Sequence, residues 1–293
     1  MEKKICYLSI DFEDFSFNLQ RSLGVKTPKP RLEALQLSID RILSVIDSAP
    51  GSNHLTFFTT GQVARDCPEI IAKLARNGHE IGCHGYYHAN INTSSKERFA
   101  KDLDKAIKII KKSSGQEVYG FRAPNFSIDK QSNWAYEELA KRFLYDSSYV
   151  SESRLNSDTA VDVMNFHNYK LYEFPVYFHQ LFPGFKVRVI GGTFLKLLPL
   201  KLIIKLMNRS LEKGFIPIIY LHPYEFLYNY EFWVGRDELR NISFFSKVYW
   251  QIRQHQWLRL GNKKAIIKLS KILEIFNHQG NMVSHFTEKE RQF

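Results

Sequence analysis

Apolar residues recur along this chain in two rhythms. The run ICYLSID (5–11) is rich in β-formers and reads as a first strand. Leu32, Leu35, Leu37, Ile39, Ile42, Leu43 and Ile46 then fall at roughly helical spacing over 31–47. LTFFTTG (55–61) is a second strand. Pro68 opens a short helix carrying Ile70, Ile71 and Leu74, which Gly78 closes. HEIG (79–82) is a short strand. Ser94 and Glu97 stand at capping-box spacing before a helix with Phe99, Leu103, Ile107 and Ile110 on one face, and Gly115 follows it. VYGFR (118–122) is the next strand, with a helix over 132–142 after it. LYEFPVYF (171–178) and FIPIIYL (215–221) are later strands that bracket a helix over 199–213. Ile266, Leu269, Ile272, Leu273 and Phe276 give 263–277 a helical period.

Alternating strands and helices predict a parallel sheet with helices outside it. At 293 residues this order suits a closed or distorted (β/α) barrel. We expect an α/β barrel domain over 1–250 and a C-terminal helical extension over 251–293. With 44% hydrophobic residues the chain has ample material for a core. Cys6, Cys67 and Cys83 are few, odd in number and without CxxC spacing, so a disulfide framework is not expected and a reducing compartment fits. Cys83 abuts His84, but strand alternation points it to the opposite side.

Net charge is +11, from 41 Lys and Arg against 30 Asp and Glu. That favours an acidic partner: an anionic glycan, a phosphate-linked sugar carrier or a membrane surface. No nucleic-acid motif stands out, and solvated helix faces account for the basic stretch from Arg253 to Lys271. The opening MEKKICYLSIDFED does not read as a signal peptide, because its apolar run is short and cut by carboxylates. The most apolar window, Phe194–Met207, contains Lys196, Lys201, Lys205 and Pro199 and is a poor membrane span. It either packs on the body with lysine stems lying flat or rests on a membrane surface. The expectation is a cytoplasmic protein, or one held at the inner membrane face.

Polar clusters fall at the ends of the expected strands. Asp11-Phe12-Glu13-Asp14 closes the first strand, and His84-Gly85-Tyr86-Tyr87-His88 follows HEIGC. Two imidazoles four residues apart meet one ion if the backbone between them makes a single helical turn. With the acidic cluster they suggest a two-histidine, one-carboxylate metal site with a carboxylate left for acid–base work. Taken alone, the histidine spacing also fits solvated or core histidines. Arg122–Phe126 and His222–Glu225 likewise follow strands, and functional groups of such barrels gather at strand C-terminal ends.

SIDFED (9–14), HGYYH (84–88), FRAPNF (121–126), YDSS (145–148) and YLHPYE (220–225), in this order, resemble the polysaccharide deacetylases of the NodB type. The resemblance covers roughly residues 5–225. GGTFLKLLP (191–199) and the HPYE ending look like a subgroup associated with exopolysaccharide and surface-glycan gene clusters. The resemblance implies a distorted barrel and a divalent metal, zinc in the first instance, that removes acetyl groups from sugars. It assigns Asp11 as base, His84 and His88 as metal ligands, Arg122 as orienter of the base, and His222 as acid. Pro124 shapes the loop, and Phe126 presents a backbone N–H to the oxyanion. The third ligand is Glu13 by D-x-D spacing or Asp14 by residue type, and both stay open. Asp146 is a candidate orienter of His222, and Glu225 a partner for a loop N–H. Tyr86, Tyr87, Phe126 and Tyr224 are candidates for a sugar-stacking platform. The implied substrate is an acetylated sugar or glycan, N-acetylated first of all. Rival readings are a ring-opening amidohydrolase on the same barrel and a glycan-binding protein without turnover.

Overall fold

The computed structural model describes residues 4–24, 30–155, 161–235 and 237–291. Its strands are β1 (Lys4–Phe12), β2 (Thr56–Thr59), β3 (Glu80–Cys83), β4 (Gly120–Phe121), β5 (Tyr145–Asp146), β6 (Val150–Ser151), β7 (Asp162–Phe166), β8 (Tyr169–Glu173), β9 (Val176–Phe182), β10 (Phe185–Arg188), β11 (Ile218–Leu221) and β12 (Phe276–His278). The helices are α1 (Phe17–Leu23), α2 (Leu32–Asp47), α3 (Gly61–Asp66), α4 (Pro68–Arg76), α5 (Lys96–Ser114), α6 (Trp134–Ala140), α7 (Gly192–Leu197), α8 (Leu200–Glu212), α9 (Phe244–Leu258) and α10 (Asn262–Ile275).

The main sheet runs β11, β1, β2, β3, β4, β5, β8, β7. All neighbours are parallel except β7, which is antiparallel to β8. Strands of such a sheet are covered on both faces, and β1 is buried without a break from Cys6 to Phe12. Helices supply the outer cover. Leu35, Ile39, Ile42 and Ile46 of α2 and Phe99, Leu103, Ala106 and Ile110 of α5 form buried stripes at helical spacing. Ser95, one residue later than expected, caps α5 by accepting the Arg98 N–H at 3.2 Å.

The sheet does not close as one continuous ladder. LYEFPVYF, expected as one strand, is divided at Phe174-Pro175: β8 pairs with β5, while β9 pairs with β6 and β10. Pro175 has no N–H to give a ladder. Residues 189–191 bridge the gap to β11, through Val189 N–H to Tyr177 O (2.8 Å), Ile190 N–H to Ile218 O (2.9 Å) and Tyr220 N–H to Ile190 O (3.0 Å). This interrupted arrangement is consistent with a distorted barrel.

The C-terminal stretch is not the purely helical extension expected. Residue 250 lies inside α9, and after α10 the chain turns into β12, parallel to β1. Beyond it the Met282 and Val283 N–H groups bond Thr56 Oγ1 (2.8 Å) and Glu80 Oε2 (3.0 Å). Those residues open β2 and β3, so the last segment closes the sheet at the end opposite the polar clusters.

Candidate active site

Strand alternation decides which acids of the opening cluster face inward. Phe12 goes to the outer layer and meets Phe57 edge-on at 5.7 Å. Asp11 and Glu13 go to the other side. Asp14 turns away: its carboxylate accepts the Ser16 N–H and the Arg31 N–H, each at 2.7 Å, and the Ser16 hydroxyl. Asp14 thus ties the turn after β1 to residue 31 and does not join the inward cluster.

Arg122 is fully buried behind Asp11. Its Nη1 donates to Asp11 Oδ1 and to Ser9 Oγ, both at 2.8 Å, and Nη2 donates to Ser147 Oγ at 3.0 Å. The guanidinium lies 4.2 Å from the centre of the Phe58 ring. Burial works to raise the Asp11 pKa, but Arg122, then His84 and His222, hold it below the usual carboxylate range. Ser148 Oγ accepts the Ala123 N–H (2.7 Å) and donates to Asp146 Oδ1 (2.6 Å). The YDSS motif therefore braces the Arg122 loop. Asp146 has that task and does not orient His222.

The imidazoles meet through a bend, not a helical turn. Gly85 and His88 take positive φ, 71° and 55°, and the Tyr86 N–H is anchored on Asp102 Oδ2 at 2.8 Å. The rings of His84 and His88 stand 4.9 Å apart. His84 Nδ1–H donates to the Arg122 carbonyl at 2.7 Å, which leaves Nε2 as the free lone pair facing the cleft. His88 Nε2 is 3.4 Å from Glu13 Oε2. Burial lowers the pKa of both histidines, His88 to about 3. Glu13 is held down at about 2, because His88 and Arg21 outweigh its burial.

His222 closes the site from β11. Its N–H donates to Glu225 Oε2 at 2.9 Å, and its Nδ1 is 3.4 Å from the same oxygen. Burial pulls its pKa down, but the Glu225 carboxylate dominates and carries it to about 9. Glu225 occupies the orienting role expected of Asp146. The GGTFLK motif makes room for it. A Cβ on Gly192 would fall within 2.0 Å of the Glu225 carboxylate, and Lys196 Nζ lies 3.7 Å from it. Glu225 accepts a loop N–H, as the sequence suggests, while Ser9, Gly192 and Lys196 carry no signal for these roles in the sequence.

These groups line a cleft of about 230 Å³, including Asp11, His84, His88, Phe126, Arg188 and His222. It widens outward past Arg21, Tyr87, Arg253 and Trp257. Phe126 departs from expectation. Its N–H is engaged by the Ala123 carbonyl at 3.0 Å, within the 124–126 turn that Pro124 opens, so only its ring faces the cleft. Asn125 and Phe126 both hold positive φ there, 56° and 55°, a strained pair on the cleft wall. The aromatics do not form one platform. Tyr87 packs on Tyr86 (4.5 Å) and takes a hydrogen bond from Lys105 (2.5 Å) at the outer wall, while Phe126 meets Tyr220 and Tyr224 stacks on His222, each pair at 4.9 Å. Arg188 lies 5.1 Å from the Phe126 ring centre and has no carboxylate partner among the described residues.

Among the described residues no set of three or more His, Cys, Asp or Glu side chains forms a ready-made ion site. Glu13 Oε2 is drawn to Arg21 Nη2 at 2.6 Å. In donor type the inward set still fits a divalent cation: two neutral imidazoles, one with its other nitrogen fixed on a carbonyl, and an ionised carboxylate.

Residues 40–144 match the polysaccharide deacetylase family model. The similarity to that family is thus a property of this segment, about a third of the chain. Residues 153–248 match a second model, a domain of unknown function, DUF3473. The chain is 27% identical over 135 residues to the peptidoglycan deacetylase-like protein FGM2 of Gibberella zeae, covering 45% of this chain and 39% of that protein. It is 31% identical over 105 residues to the peptidoglycan-N-acetylglucosamine deacetylase of Bacillus cereus, covering 36% and 38%. The chain thus spans less than two fifths of the length of these curated relatives. A provisionally assigned polysaccharide deacetylase of Mycobacterium smegmatis, known from its crystal structure, shares the fold, with a TM-score of 0.54 at 19% identity over 95% of this chain and 94% of that one.

Proposed function

We propose that the chain is a metal-dependent hydrolase that removes an N-acetyl group from a sugar of a surface polysaccharide or its precursor. The observation that carries this reading is the convergence of Asp11, His84, His88 and His222 on one cleft with Arg122 buried behind Asp11. His84, His88 and Glu13 would hold the cation, zinc by donor type, which when bound acidifies water and polarises a carbonyl.

The remaining work falls to the protein. Arg122 keeps Asp11 ionised, so the carboxylate accepts a proton from the attacking water. His222, kept protonated by Glu225, donates to the departing sugar nitrogen. The Phe126 ring and Arg188 line the cleft where the sugar lies. The guanidinium of Arg188, which has no carboxylate partner among the described residues, suits an anionic group on the glycan or on its carrier. The relatives named above as peptidoglycan deacetylases support the reaction class.

Acetate release from N-acetylated glycan oligomers, with zinc supplied and after chelation, tests this. Release that chelation abolishes, and that His84→Ala lacks, is expected. A zinc-loaded protein that binds the oligomers and releases no acetate would make it a glycan-binding protein instead.

A further inference from the structure

Helix α9 carries an apolar stripe on its outer side. Phe244 and Phe245 are 73% and 83% exposed, and Val248, Tyr249 and Ile252 continue the row. At 3.6 residues per turn these five positions span an arc of about 140°. The buried residues Trp250, Gln254 and Leu258 lie on the other side of the helix, where they dock it on the body. Leu260, 57% exposed, extends the stripe across a groove that it shares with Ile252. Large exposed apolar residues in one contiguous row mark an interaction surface.

The charge around the stripe identifies its partner. Residues 239–273 contain no Asp or Glu and eight Lys or Arg. Arg240 stands near the start of the helix, where its carbonyl accepts from Lys247 Nζ at 3.3 Å. Arg259, Lys263 and Lys264 are exposed just past its end. Two copies of this face would bring like charges together, whereas anionic lipid headgroups complement it. Among the described residues no helix is long and apolar enough to cross a membrane. An apolar stripe with a basic border is the form of a helix that lies in the bilayer interface.

We propose that α9 docks the protein on an anionic lipid bilayer, with Phe244, Phe245, Val248, Tyr249 and Ile252 entering the headgroup boundary. The same helix borders the cleft through Arg253 and Trp257, so docking holds the cleft mouth beside the membrane. This inference does not depend on the hydrolytic reading.

The test is co-sedimentation of the full chain with phosphatidylglycerol–phosphatidylcholine vesicles and with pure phosphatidylcholine vesicles. Binding to the anionic vesicles, weakened by high salt, is expected. Phe244→Ser with Phe245→Ser should weaken it by more than about tenfold, and Lys263→Glu with Lys264→Glu by about fivefold or more. These side chains are exposed, so melting temperatures should not move. The inference is overturned if the unmodified protein stays in the supernatant with anionic vesicles. It is equally overturned if the phenylalanine variant binds as well, or if the protein is a dimer in solution that the same variant disperses.

Discussion

Asp11 and Asp146 stand near the ends of two strands of one sheet, and both are buried. Burial raises the pKa of each. At Asp11 the Arg122 guanidinium overrides burial and the acid stays ionised. At Asp146 the neighbour is another acid, Glu173, and burial wins: both pKa values rise, that of Glu173 well above the ordinary range. Among the described residues Glu173 Oε2 has no hydrogen-bond donor, which suits a carboxyl that keeps its proton. The contrast shows what keeps a buried acid ionised. The first pair faces the cleft with a cation behind it, and the second serves the scaffold, holding Ser148 and the loop that carries Arg122.

Breaking the first pair should have the largest effect. Asp11→Asn leaves Arg122 in place and removes the proposed base, so acetate release should fall by about 10²–10⁴-fold while the melting curve shows a folded protein. Arg122→Gln makes the first acid resemble the second. An uncompensated buried charge costs about 3–5 kcal/mol, readable by denaturant unfolding at neutral pH. In the same variant the Asp11 pKa should rise, which moves the acid limb of the activity profile to higher pH.

A third acid sharpens the comparison. Glu225 raises the pKa of His222 as Arg122 lowers that of Asp11. In metal-free protein the imidazole should titrate near 9 by NMR. Its contribution to stability is then complete below the unfolded value, about 6.5, and is lost as pH rises through 9. Glu225→Gln should bring the titration down, and a midpoint that stays put would show that Glu225 does not set it. The smallest effect belongs to Glu173→Gln. Its raised pKa makes stability fall as pH climbs above the ordinary carboxylate range, so the glutamine variant should show a flatter melting temperature against pH and near-normal acetate release.

Much of this was legible in the sequence because periodicity and strand-end chemistry are local. The β1 run, the α5 stripe and the clusters at 84–88, 121–126 and 222–225 all declare themselves within a few residues. Which of Glu13 and Asp14 faces inward was also present, since alternation from Asp11 puts Glu13 on its side and Asp14 on the other. Residue type pulled toward aspartate and hid it. Other features depend on distant partners. Glu225 needs Gly192 to give it space, and the engaged Phe126 amide depends on the turn closed by Ala123. Pro175 was visible, but its division of a strand between two sheets follows from pairings with β5 and β6 far along the chain. β12 was absorbed into the helical period of 263–277 because Phe276 continues the apolar spacing of α10.

Calorimetric zinc titration of the unmodified protein, Glu13→Gln and Asp14→Asn probes the shared centre most directly. One equivalent should bind to the unmodified protein and to Asp14→Asn, whose side chain only ties a turn, and Glu13→Gln should lose it. Tight binding that survives Glu13→Gln but vanishes with Asp14→Asn would contradict the inward arrangement on which the hydrolytic reading depends.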